Sequence, residues 1–264
     1  MTALLELNGI AKAFRGVKAV RDASFTVEAR SITGVIGPNG SGKSTTIDCL
    51  SGFQRSDTGT VRLAGEDITR LSPAAIAQRG LIRTFQAVRV YESYNLLDNL
   101  LVVDAPFRGL SWFDVLARTR AFRGRYAAAE ERARALIESV GLTRMIDVPA
   151  SVLSYGQKKL LAFAAAMMAS PKIIVLDEPV AGVNPTRVNE VAKILRDANR
   201  AGITFLVVEH NVEFITDLCH KVVVLDQGAK LTEGTPEEVH RDSRVLDAYL
   251  GLSSGKSRTA AQAT

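Results

Sequence analysis

The chain has 264 residues, a formal net charge of +5, 47% hydrophobic residues and 23% charged residues. That length suits one large domain, or one domain with a subdomain, and is enough to bury a sizeable core. Two cysteines, Cys49 and Cys219, are too few for a disulfide framework and have no metal-ligand partner at close spacing, so a reducing compartment is expected. The modest positive charge suits anionic ligands, nucleic acid, a membrane surface or merely scattered surface arginines, and does not choose among them.

The start, Met1 to Glu6, lacks the basic region and long apolar run of a signal peptide. The first third reads as strands and tight turns. Leu4 to Asn8, Ala19 to Val27 and Ser31 to Ile36 are rich in apolar and β-branched residues, and Gly59 to Leu63 follows the turn Ser56-Asp57-Thr58-Gly59. A helix is predicted from Gly42 or Lys43 to about Leu50, ahead of Gly52. The middle, from about Leu96 to Val140, has a helical pattern, and Arg118 to Arg125 is rich in arginine. That arginine run suits contact with the loops of a membrane partner or with lipid headgroups, and equally a solvated helix face.

Alternation of strand and helix returns in the last third. Lys172 to Leu176 and Ile203 to Val208 are buried strands by their continuous apolar runs. Asn184-Pro185 reads as a cap followed by proline at the first helical position. A short helix is expected from Asn211, and Gln227-Gly228 marks a hairpin between Lys221–Leu225 and Lys230–Thr232. The tail from Ser253 lacks periodicity and is expected to be disordered. Apolar stretches are strand-length, well short of the roughly 20 residues a membrane helix needs, so a membrane role would come through a partner. The alternation implies an α/β fold with a mainly parallel sheet covered on both faces.

Gly37-Pro38-Asn39-Gly40-Ser41-Gly42-Lys43-Ser44 fills every fixed position of G-x-x-x-x-G-K-[ST], between a strand and a helix. Its glycines let backbone N–H groups turn toward phosphate oxygens, and the helix N-terminus adds partial positive charge. Lys43 is expected to reach the β- and γ-phosphates of ATP, with Thr45 next in the cradle, and Ser44 to offer its hydroxyl to Mg²⁺. The run Ile173 to Leu176 ends in Asp177-Glu178, where ligands bind parallel sheets. Asp177 is expected to orient Mg²⁺ and Glu178 to act as general base on the attacking water, since buried adjacent carboxylates are costly without a cation or proton-transfer role. His210, just past a strand end, suits either a structural role or a γ-phosphate sensor. The amide of Gln86 could bind Mg²⁺ or the water, but a lone glutamine is weak evidence.

Leu153-Ser154-Tyr155-Gly156-Gln157 is a second anion cradle, with Ser154 and the backbone at Gly156 capping a helix. It resembles the signature motif of ABC ATPases, whose commonest form has Gly in place of Tyr155. The resemblance covers roughly residues 3 to 251. It implies a P-loop NTPase fold within residues 1–252: a RecA-like core of mainly parallel sheet, an antiparallel β subdomain, and an inserted helical subdomain at about 87–170 that carries the permease docking groove. It implies that Phe14 stacks on adenine, that Gln86 links nucleotide to permease, and that His210 is the switch histidine. It implies a head-to-tail dimer in which Ser154, Tyr155, Gly156 and Gln157 close on the ATP of the other subunit.

After Glu178-Pro179 most of the family has an aspartate in the loop that reaches across the dimer. This chain has Val180-Ala181-Gly182-Val183-Asn184-Pro185, which resembles the larger ATPase subunit of high-affinity branched-chain amino acid importers. Related importers carry urea, short amides or aromatic acids. The implied assembly has two integral-membrane permease subunits, a second ATPase subunit, and indirectly a periplasmic or extracellular solute-binding protein, without nucleic acid. The chain would sit peripherally on the cytoplasmic face of the inner (plasma) membrane. The alternative, a soluble ABC ATPase acting on nucleic acid or ribosomes, usually has a long coiled coil or two fused ATPase halves, and neither is present here.

Overall fold

The computed structural model describes residues 3–84, 90–103, 114, 116–117 and 119–250. Gln86, Arg118, the segment around Trp112 and the tail from Ser253 lie outside the described residues. The strands are β1 (Ala3–Phe14), β2 (Val17–Glu28), β3 (Ile32–Ile36), β4 (Thr58–Leu63), β5 (Glu66–Asp67), β6 (Leu81–Arg83), β7 (Ile173–Asp177), β8 (Thr204–Val208), β9 (Lys221–Asp226) and β10 (Ala229–Gly234). The helices are α1 (Lys43–Leu50), α2 (Pro73–Gln78), α3 (Leu96–Val103), α4 (Arg120–Ser139), α5 (Tyr155–Met168), α6 (Pro185–Arg200), α7 (Val212–Leu218), α8 (Pro236–Arg241) and α9 (Ser243–Tyr249). Two compact units emerge, one of Met1–Arg83, Lys172–Pro179 and Arg196–Thr264, the other of Thr84–Pro171 and Val180–Leu195.

In the first unit the strands form one sheet in the order β5-β4-β1-β2-β10-β9-β3-β8-β7-β6. The run β9-β3-β8-β7-β6 is parallel throughout. Every residue of β3 and β8 is buried, as is β7 up to Asp177, which is why these runs are continuously apolar. β1, β2 and β4 pair antiparallel and bury mainly one face, through Leu5, Leu7, Ile10, Phe25, Val27 and Val61.

The antiparallel part joins the parallel part through β10. The Gln227-Gly228 turn has φ of 45° and 82°, the left-handed pair a two-residue hairpin uses. Gly228 also accepts from Arg21 N at 2.6 Å, and a Cβ there would meet Ala19 O at 2.9 Å. Glycine therefore lets β10 approach β2, where Ala229 pairs with Asp22. Ile47 and Leu50 of α1 enter the same core cluster as Ile173, Val175, Leu206 and Val208. This fixes α1 against the strands that deliver the acidic residues.

In the second unit α3, α4 and α5 pack pairwise. Ala129 and Ala133 of α4 are buried with Leu96 and Leu100 of α3 and Leu161 and Ala164 of α5, and the alanines allow close approach. Buried Asn99 bonds to the backbone of residues 91, 94 and 95, so its amide is satisfied while it pins the entry to α3. Arg120, Arg123 and Arg125 are exposed on α4. Among the described residues, no helix is long and apolar enough to cross a membrane.

Candidate functional site

The loop Gly37 to Gly42 runs from the buried end of β3 into α1. Gly37 has φ of 151°, and a Cβ on it would lie 2.1 Å from Leu225 O and 2.7 Å from Ser41 Oγ, so no other residue fits between β9 and the loop. Ser41 is buried; its N–H donates to Pro38 O at 3.2 Å and its carbonyl accepts from Gly228 N at 3.0 Å. The hairpin that closes the sheet thus also braces the phosphate loop. Lys43 Nζ donates to Gly37 O at 2.8 Å and Pro38 O at 3.1 Å. Burial lowers the Lys43 pKa, and the nearby Glu178 and Asp177 carboxylates oppose that shift. Ser44 is exposed in the first turn of α1, beside half-buried Thr45.

β7 and β8 bring the acidic residues and His210 together, because Asp177 pairs in register with Val208. Glu178 N donates to Val208 O at 2.9 Å, and Glu178 has φ of 50°, a left-handed conformation that non-glycine residues adopt at a cost. His210 Nδ1 is 3.7 Å from Glu178 Oε1 and 3.7 Å from Glu209 Oε2. Buried Glu209 accepts from the backbone N–H of His210 at 3.1 Å and of Asn211 at 3.4 Å, which holds the histidine's backbone. Asn211 then caps α7 by accepting from Phe214 N at 3.0 Å.

Phe14 lies at the end of β1, with its ring exposed. Lys12 Nζ is 5.5 Å from the Phe14 ring centroid and 2.7 Å from Asp57 Oδ1, while Asp57 Oδ2 accepts from Ala13 N at 2.7 Å. The hydrogen bond from Lys12, followed by that from Ala13, lowers the Asp57 pKa.

In the second unit, Ser154 and Gln157 form a reciprocal capping box at the start of α5. Gln157 N donates to Ser154 Oγ at 3.3 Å and Ser154 N donates to Gln157 Oε1 at 2.9 Å. The Tyr155 ring has Lys159 Nζ 5.4 Å from its centroid, and a Cβ on Gly182 would meet the ring at 3.2 Å. Lys159 also donates to Ala181 O at 2.7 Å, so Tyr155 and the Val180–Asn184 loop pack together. Asn184 Oδ1 accepts from Thr186 N at 3.1 Å and Thr186 Oγ1 at 2.9 Å, as a cap on α6.

The sequence profile described as ABC transporter matches residues 20–181. The chain belongs to the ABC transporter family. It is 37% identical to the high-affinity branched-chain amino acid transport ATP-binding protein BraF of Pseudomonas aeruginosa, across 94% of this chain and 98% of that protein. It is 34% identical to LivG of Escherichia coli (strain K12), a protein of the same description, across the same shares. It is also 34% identical to the lipopolysaccharide export system ATP-binding protein LptB of Haemophilus influenzae, across 94% of this chain and 97% of that one. Among solved structures, the ADP conformation of an ATP-binding cassette of an ABC transporter matches with a TM-score of 0.82 and 32% identity, covering 95% of this chain and 100% of that chain. The protein is therefore an ABC-type ATPase with the ABC ATPase fold.

Within this ABC ATPase the first unit brings Lys43, Asp177, Glu178 and His210 into one electrostatic neighbourhood. Gln86 lies outside the described residues. Three residues that sequence reasoning passed over contact the predicted site residues or their chain neighbours. Arg83 pairs with Asp177 at 3.0 Å, Glu209 holds the backbone of His210, and Asp57 clamps Ala13 beside Phe14. The available signal for Arg83 was a cation ending the apolar stretch Leu81-Ile82, since a buried guanidinium needs a carboxylate.

Proposed function

We propose that this ATPase energises an importer of branched-chain amino acids, or of related small amides and acids. The observation that carries the reading is end-to-end likeness, at 34–37% identity, to ATP-binding proteins of branched-chain amino acid transport. The chain would lie peripherally on the cytoplasmic face of the inner membrane, against two integral-membrane permease subunits. It would pair head to tail with a second ATPase subunit and act indirectly with a solute-binding protein. Nucleic acid has no part in this reading.

The phosphate loop Gly37, Pro38, Asn39, Gly40, Ser41 and Gly42, with Lys43, Ser44 and Thr45, would hold the phosphates, and Phe14 would stack on adenine. Ser44 and Asp177 offer hydroxyl and carboxylate oxygens, donors that suit Mg²⁺, and Gln86 would join them. Among the described residues no group of three or more His, Cys, Asp or Glu gathers that could hold a metal. Mg²⁺ commonly takes much of its coordination from phosphate and water. When bound, Mg²⁺ would neutralise charge developing on the phosphoryl oxygens. Glu178 would take the proton of the attacking water, and His210 would donate to the γ-phosphate. Ser154, Tyr155, Gly156 and Gln157 would cap the nucleotide of the partner subunit. ATP would thereby favour the closed pair, and hydrolysis would remove that bridge.

The 34% identity to a lipopolysaccharide export protein supports a second reading, in which the same motor drives export. Tagging the chain in its own cell, solubilising membranes gently and identifying the co-purifying proteins separates them. Two different permeases with a second ATPase and an amino-acid-binding protein support import. Recovery with lipopolysaccharide-export components supports export, and ribosomes or nucleic acid without membrane protein would overturn both.

A further inference from the structure

We infer that Arg83 is a positioning residue that sets the spacing between Ser44 and Asp177, the two groups assigned above to the metal. The inference rests on that assignment. Arg83 ends β6, where it pairs in register with Val175 of β7. Its side chain is only 8% exposed, and Asp177 only 11%. Nη2 donates to Asp177 Oδ2 at 3.0 Å, whereas Nη1 donates to Asp48 Oδ1 at 2.6 Å and to Ser51 Oγ at 3.2 Å. The guanidinium carbon lies 5.7 Å from the Phe53 ring centroid, which adds an aromatic contact to the site.

Asp48 follows Ser44 by one helical turn, so the two share a face of α1. One rigid guanidinium therefore ties the helix face that presents Ser44 to the strand end that presents Asp177. A lysine keeps the charge but cannot offer the planar fork that spans both carboxylates. Positioning and plain electrostatics predict opposite signs. Removing a cation beside Asp177 would by charge alone strengthen its pull on Mg²⁺. Removing a spacer would weaken Mg²⁺ binding, because metal affinity depends on groups that orient the ligands.

The test titrates Mg²⁺ against binding of a fluorescent ATP analogue to the full chain, with an EDTA control and a melting curve for each variant. Arg83→Met should raise the half-saturating Mg²⁺ about tenfold, with Arg83→Lys and Asp48→Asn raising it less. Binding in EDTA should be unchanged. Arg83→Lys keeps the charge and loses only the fork, so it carries the test where Arg83→Met does not fold. An unchanged or lowered Mg²⁺ requirement in these variants, while Asp177→Asn raises it, would overturn the inference and leave the metal assignment standing. No response in Asp177→Asn would overturn both.

Discussion

His210 Nδ1 stands 3.7 Å from Glu178 Oε1, so the proposed sensor and the proposed base meet where β8 and β7 end. Replacing Glu178→Gln should slow ATP turnover by about 10²–10⁴-fold while nucleotide binding is kept. Steady-state hydrolysis and equilibrium binding check both halves, and undiminished turnover would remove Glu178 from the base role.

The left-handed backbone at Glu178 makes a separate prediction. Glu178→Gly should stabilise the fold by about 1 kcal/mol and abolish turnover, because glycine relieves the conformation without supplying a base. Chemical denaturation alongside the assay reads both effects. A destabilised variant would mean that the side chain contributes more than its backbone costs.

Phe14 is presented at a strand end that Asp57 clamps through Ala13 and Lys12. If the ring stacks on adenine, Phe14→Ala should weaken ATP binding about tenfold, and Phe14→Trp should restore it. Asp57→Ala should cause a smaller loss by loosening the strand end. Calorimetric titration of each variant with ATP would show this order, whereas equal affinities throughout would dismiss the stacking role.

Tyr155, in the string that resembles the signature motif, packs its ring between Lys159 and Gly182. Tyr155→Gly should lower stability by about 1 kcal/mol, from the lost cation–π contact and added backbone freedom. Urea unfolding measures it. An unchanged midpoint would show that Lys159 and the Val180–Asn184 loop find equivalent contacts.

Asp242 caps α9 and is held at a pKa of about 2, chiefly by the side-chain hydrogen bond from Arg244. A depressed carboxylate contributes stability that is present above its unfolded pKa and disappears as pH falls through the folded value. The contribution should therefore be complete above about pH 4 and lost toward pH 2. Arg244→Ala should return the carboxyl titration toward the ordinary aspartate range, as followed by NMR chemical shifts.

Much of the site was legible in the sequence by itself. Gly37 to Ser44, the helix from Lys43, the apolar run into Asp177-Glu178 and the cap at Ser154 are each contiguous, so composition and spacing report local backbone geometry directly. The Gln227-Gly228 turn was legible for the same reason. What only the tertiary structure decided are the partners that register supplies. Arg83 reaches Asp48 and Asp177 because β6 lies beside β7, and Glu209 is buried beneath His210. Tyr249 lines one cavity with Ile36, because the chain returns to the end of β3 at its far end. No local pattern encodes such pairings, since they depend on which strands become neighbours and not on which residues are adjacent in the chain.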